Sequence, residues 1–232
     1  RSAAVQALVI QAQTDDKWAD PIITSFLRVL PDQLASPQEA IIDGLLELRK
    51  VRVSREEEIF ETIQETLDSP YPSVRSKVVD IWTRFSLKSD TKTSDTIAVL
   101  FEMLSDDDKD IRYQTQESLS KILHSVPKVA LPELKNALAD DDWRVKYHSI
   151  VLLTEFARKY PDPSLALAPE VIVAFGSGER LKERAADCIG MLGLASPDAV
   201  KDSVPGLIQG LESKSSELRK ASATALGRIG SK

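Results

Sequence analysis

The chain has 232 residues, 42% of them hydrophobic and 28% charged, and its 30 basic and 36 acidic side chains leave a formal net charge of −6. That composition supplies enough apolar material for a sizeable core and excludes an intrinsically disordered chain. No apolar run approaches the roughly 20 residues that span a bilayer, which excludes helical membrane insertion, and the single cysteine, Cys188, excludes an internal disulfide framework and fits a reducing, intracellular and cytoplasmic setting.

The chain opens on "RSAAVQAL", already in the middle of a helical pattern and without an initiator Met, so it reads as a piece of a longer chain. An internal repeat organises everything that follows. Residues 1–13 form a half-repeat, with Arg1 at a cation position and Leu8 corresponding to Leu226. Helix pairs are predicted over about 20–52, 54–88, 94–124, 127–160, 164–195 and 198–232. The last five are keyed by an aliphatic residue followed by a cation: Val74-Arg75, Ile111-Arg112, Val145-Lys146, Leu181-Lys182 and Leu218-Arg219, spaced by 37, 34, 36 and 37 residues. Each key opens a stretch with apolar residues at i, i+4, i+7 and i+11, such as Val74, Val78, Ile81 and Phe85, which lays one apolar stripe along a helix. Leu67, Leu104, Leu138, Phe175 and Leu211 close the preceding helix of each pair. Pro132, Pro169 and Pro205 fall near the expected start of that first helix, where a missing N–H is harmless. No segment alternates with a period of 2, so the fold class is all-α.

This pattern resembles HEAT repeats over essentially the whole chain, and the ending "LRKASATALGRIG" resembles the HEAT-like type named after phycobilisome lyases. The resemblance implies an α-solenoid, a right-handed superhelix of antiparallel helix pairs, in which stacking neighbours bury what one pair cannot. It also implies that an Asp of each inter-helix turn pairs with the cation slot of a neighbouring repeat, making a ladder of Arg75, Arg112, Lys146, Lys182 and Arg219. One stretch departs from the pattern: in "FGSGERLKERAADCIGMLG" the turn is a residue short and lacks Asp. Eight of the nine glycines fall from Gly176 onward, which predicts tighter helix packing or altered curvature there.

The turns "LSDDDKDIRY" and "LADDDWRVKY" invite a metal reading. Asp106, Asp108, Asp110 and Glu117 stand at positions 1, 3, 5 and 12 of a calcium-loop pattern. Position 6 requires glycine and is Ile111; in the second copy positions 5 and 12 are Arg144 and Val151. Asp106, Asp108, Asp140 and Asp142 are therefore read as turn and cap residues, accepting free N–H groups at a helix start. No metal, cofactor or catalytic residue is expected. His124 and His148 lack partners at ligand spacing, whereas deoxyhypusine hydroxylase, an enzyme among the HEAT-like repeats, looks like a solenoid with repeated His-Glu ligands. Cys188 sits in an apolar context, and "GSGER" lacks the Gly-Lys-Ser/Thr of a phosphate loop.

The charge is ordered. Second helices at 74–88, 111–124, 145–159, 181–194 and 218–231 carry 14 Lys and Arg against 5 Asp and Glu, leaving −15 for the rest. In the family resembled, second helices line the concave face. The reading is a non-enzymatic scaffold or adaptor whose partner is a protein, an acidic segment or helix in particular, docking on Lys77, Arg84, Tyr113, Gln116, Tyr147 and His148. Tyr113 and Tyr147 both stand two residues after a key aliphatic, so they should sit side by side, either anchoring a partner or packing on the next repeat. The alternative partner is a nucleic acid on the same basic helices, weakened because five of the 14 cations occupy the ladder slot. A lyase or other enzyme-associated subunit is a third reading. Trp82 and Phe85 are expected in the core, and Trp143 at a repeat junction or exposed.

Overall fold

The computed structural model describes residues 2–87 and 93–231. Arg1 and Lys88, the latter closing the 54–88 pair, lie outside the described residues. Fifteen α-helices and no strand occur among those residues: α1 (Ser2–Thr14), α2 (Ala19–Val29), α3 (Ala35–Leu48), α4 (Glu56–Glu65), α5 (Pro72–Ser86), α6 (Thr93–Glu102), α7 (Lys109–Ser125), α8 (Pro127–Leu138), α9 (Trp143–Lys159), α10 (Pro161–Ser164), α11 (Ala168–Ser177), α12 (Glu179–Ala195), α13 (Pro197–Val200), α14 (Val204–Gly210) and α15 (Ser216–Ile229). None is long and apolar enough to cross a membrane. The fold is an all-α solenoid of stacked helix pairs.

The key aliphatics are buried without exception: Val74, Ile111, Val145, Leu181 and Leu218 are each at most 5% exposed. Helices of this length are marginal alone, and each fully buried Leu, Ile or Phe contributes about 1.5–3 kcal/mol. Stacking, rather than intrinsic propensity, therefore holds these helices.

Contacts group the chain into two compact units, Arg1–Ile81 and Trp82–Lys232. In the first, α1 packs on α3 and α2 on α3, around Ile22, Ile23, Phe26, Ile42 and Leu45. In the second, the hairpins α6–α7, α8–α9, α11–α12 and α14–α15 stack so that α7, α9, α12 and α15 form one layer, each packed on the next. α6, α8 and α11 form the other layer in the same sequence. Leu119, Ile150, Phe156, Ile189 and Leu207 are fully buried in this second unit. Trp82 is buried and Phe85 half-buried.

The prolines need one correction. Pro169 and Pro205 do stand in the first turns of α11 and α14, but Pro132 lies inside α8. Before α11 and α14 the chain makes a short helix, α10 or α13, and a 3-10 turn. In the repeat between them and α7 those pieces are fused into one continuous helix starting at Pro127, which places Pro132 in its interior.

The glycine-rich third packs tightly. A Cβ on Gly190 would lie 2.7 Å from the Cα of Ala225, so α12 and α15 meet nearly backbone to backbone. Gly178 caps α12 with an extended backbone and no side-chain acceptor, in the turn that lacks Asp.

Candidate functional site

The acidic turns resolve as caps. The Asp106 carboxylate accepts the Asp108 N–H at 2.8 Å and the Asp108 carboxylate accepts the Asp110 N–H at 2.8 Å. The second copy repeats this with Asp140 accepting from Asp142 and Asp142 from Arg144, both at 2.7 Å. Short acceptors folded over their own turn are how a helix start satisfies its free donors.

Within the second unit the slot cations Arg112, Lys182 and Arg219 bond inside their own turns and not to an Asp of a neighbouring repeat. Arg112 donates to the carbonyls of Asp106 (2.5 Å) and Asp107 (3.0 Å), and Arg219 to those of Ser213 (2.7 Å) and Lys214 (3.1 Å). Arg75 likewise donates to the Ser69 carbonyl at 2.7 Å, Lys182 pairs with Glu179 at 2.5 Å, and Lys146 is half-buried. A side chain in the first turn leans toward the helix N-terminus, so a long cation there folds back over the turn preceding it. One link between repeats comes from the neighbouring position: Arg144 donates to the Ser105 carbonyl at 2.7 Å and lies 3.7 Å from Asp107.

Around Arg144 the second unit forms a cleft of about 420 Å³. Its aromatic wall is Tyr113, Trp143 and Tyr147, its cations are Arg112, Arg144 and Arg180, and His148 completes it; no carboxylate lines it. His148 is the pivot. The Tyr113 and Tyr147 rings meet it edge to face at 6.0 and 5.2 Å, and its Nδ1–H donates to Gln116 Oε1 at 2.6 Å. Burial, helped by the charge of Arg112, pushes His148 down to about 4, so the imidazole is neutral at physiological pH. Arg180 lies over the indole of Trp143, 4.5 Å from the ring centroid. Arg184 lies over Tyr147 and donates through Nε to its hydroxyl at 3.0 Å.

Four of the six face residues, Tyr113, Gln116, Tyr147 and His148, are thus brought together. The two tyrosines differ: Tyr113 is 60% exposed, whereas Tyr147 is half-buried under Arg184 of the next repeat. Arg84 is exposed at the end of α5 and is not part of the cleft lining. Lys77 belongs to the first unit and pairs with Asp43 at 2.8 Å. Trp143, Arg144, Arg180 and Arg184 were absent from the expected set. The repeat spacing carried the signal for two of them, because Arg144 and Arg180 both stand immediately before a key aliphatic.

The first unit has its own concavity, about 550 Å³ between α1 and α3, with a floor including Val5, Val9 and Gly44 and carboxylates from Glu39, Asp43 and Glu47. The basic character expected of second helices therefore does not extend to α3, which carries no Lys or Arg. Those acids are engaged: Asp43 by Lys77, Glu39 by the Ser73 hydroxyl at 2.6 Å and Glu47 by Lys50 at 2.8 Å.

His124 is satisfied by the Ser120 carbonyl, 2.7 Å from Nδ1. Cys188 is fully buried, and burial pushes its thiol up to about 12, which suits packing and not nucleophilic attack. No group of three or more metal-ligating side chains occurs among the described residues.

Stacked helix pairs with capped acidic turns define an α-solenoid repeat protein, and comparison with known families agrees. Residues 60–154 match the family model for HEAT repeats, and residues 179–229 match that for a HEAT-like repeat. The chain belongs to the HEAT-repeat family. No curated protein matches it. Among solved structures, the karyopherin Kap121p bound to the SUMO protease Ulp1p is similar, at 17% identity and a TM-score of 0.68, over 98% of this chain and 28% of that one. A chain from the structure of Kap95p binding to RanGDP is similar at 14% identity and a TM-score of 0.60, over 99% and 33%. The designed armadillo repeat protein YIII(Dq)4CqI is similar at 11% identity and a TM-score of 0.52, over 89% and 99%. At these identities the likeness is one of fold, and the chain spans a third or less of the first two.

Proposed function

We propose that this chain is a non-enzymatic scaffold that binds a protein partner through the cleft of its second unit. The observation that carries this reading is the composition of that cleft: exposed Tyr113 and Trp143 beside Arg112, Arg144 and Arg180, with no carboxylate among them. Tyr, Trp and Arg are the residues that anchor protein interfaces, because they offer large contact area with a polar or charged tip. The fold supports the same reading, since Kap121p, built on similar helix pairs, was solved bound to the protease Ulp1p.

The test is affinity capture with the wild-type chain and with a Tyr113→Ala/Tyr147→Ala variant whose helicity is unchanged. Proteins retained by the wild type should be lost by the variant. Identical capture by both would remove the cleft as the binding surface. A short single-stranded oligonucleotide is the control. If it bound tightly at low salt and weakened steeply as salt rose, the nucleic-acid alternative would replace this reading.

A further inference from the structure

We propose that the segment accepted by the cleft is an extended stretch carrying an Asp or Glu beside a large apolar side chain, with the carboxylate seated on Arg180. This inference rests on the cleft being the docking surface and adds the chemistry of what docks there.

Three observations point to it. First, the cations of the cleft are not equally committed. Arg112 is spent on the carbonyls of its own turn, and Arg144 on Ser105 and the nearby Asp107 and Asp142. Arg180 is exposed, rests on the Trp143 indole, and has no carboxylate in ion-pair reach among the described residues. A guanidinium held flat on an aromatic face keeps its N–H edges free and its orientation restricted, which is the arrangement that receives a planar carboxylate through two parallel hydrogen bonds.

Second, Arg180 stands in the first turn of α12, where the helix dipole opposes a cation. Glu179 next to it could offset that charge but is taken by Lys182. An incoming anion on Arg180 would remove this unfavourable placement.

Third, the rim decides between an isolated carboxylate and a polyanion. Asp107 is almost fully exposed and Asp141 is exposed, one from each acidic turn flanking the cleft. A nucleic acid, with a charge about every 1.7 Å of duplex axis, is opposed by these rim aspartates as it follows the cleft. A peptide with one or two separated carboxylates avoids them. Its apolar neighbour then has Tyr113 and Trp143, the exposed rings of the wall, to pack on.

The test is selection from a phage-displayed random-peptide library on the immobilised full chain, followed by affinity measurement with the synthesised winners. Winners should be enriched in Asp or Glu next to an aromatic or long aliphatic residue. Arg180→Gln should weaken them about tenfold or more, the scale of losing one charge-assisted bidentate contact, while lowering the melting temperature by no more than a few degrees, the scale of the exposed cation–π pair. Arg180→Glu should redirect selection to Lys- or Arg-bearing peptides. Winners without acidic enrichment, or indifferent to Arg180→Gln, would overturn the carboxylate assignment; if they still lost affinity in Tyr113→Ala/Tyr147→Ala, the cleft would survive as the docking surface. Winners indifferent to both variants, or none above the background of the tyrosine variant, would overturn both. Equal competition by a single-stranded oligonucleotide would overturn the choice of peptide.

Discussion

The guanidinium of Arg180 stacks on the indole of Trp143 across two successive repeats, 4.5 Å from the ring centroid. The contact is at the surface, because Trp143 is 41% exposed. An exposed cation–π pair is worth about 0.5–1 kcal/mol, whereas removing a core tryptophan costs about 3–5 kcal/mol. Trp143→Ala should therefore lower the unfolding free energy by about 1 kcal/mol in urea titration. A loss above about 3 kcal/mol would show that the indole is a packing element of the repeat junction.

Gly190 is where two helices come closest. A methyl group there would sit 2.7 Å from the Ala225 backbone, and no side-chain rotation relieves that contact. Gly190→Ala should destabilise by about 1–3 kcal/mol, the usual cost of overpacking. Gly227, in α15 with open space beside it, is the control. Gly227→Ala should raise stability by about 0.5–1 kcal/mol, the helix-interior preference for alanine.

The capping role of the aspartates separates cleanly from metal binding. Asp142→Ala removes the acceptor of the Arg144 N–H and should cost about 1 kcal/mol, with Asp142→Asn recovering most of it. The melting temperature should be the same in millimolar calcium and in EDTA. A calcium-dependent rise lost in Asp106→Ala would restore the metal reading.

His148 makes stability pH-dependent in a defined window. Its folded value of about 4 lies below the ordinary 6.5, so the unfolded chain takes up the proton first as pH falls. The stability tied to the neutral imidazole is complete above pH 6.5, declines between 6.5 and 4, and is exhausted below. At about 1.4 kcal/mol per unit the full effect approaches about 3 kcal/mol. His148→Gln should flatten the decline between pH 7 and 4.5 by about 2 kcal/mol in denaturant titration. An unaltered pH profile would mean that other groups control the acid limb.

What could be read from the sequence and what could not divide along physical lines. Val74, Ile111, Val145, Leu181 and Leu218 announced themselves because burial imposes a 3.6-residue period that polar faces lack. The aspartate turns were legible because a short acceptor before a helix has one strong local use. The partners of Arg112 and Arg219 were not, since a long cation chooses between its own turn and its neighbour's by rotamer, which leaves no periodic trace. Trp143 and Arg180 lie in the first turns of α9 and α12, outside any hydrophobic stripe, so only coordinates join them. The acidic stripe of Glu39, Asp43 and Glu47 on α3 precedes Val74, the first of the aliphatic-cation keys, and so carries no mark of the repeat that orders the charge of the later helices.

The fused helix α8 has a bearing on how this protein breathes. Because Pro132 offers no N–H, one rung of the helical ladder is absent in mid-helix. α11 and α14 meet their prolines at the start instead. Amide exchange should thus report an early-opening segment in the first half of α8, which in the antiparallel hairpin faces the far end of α9 from Tyr147 and His148. The hairpin would then loosen first at the end remote from the cleft, leaving the aromatic pivot seated.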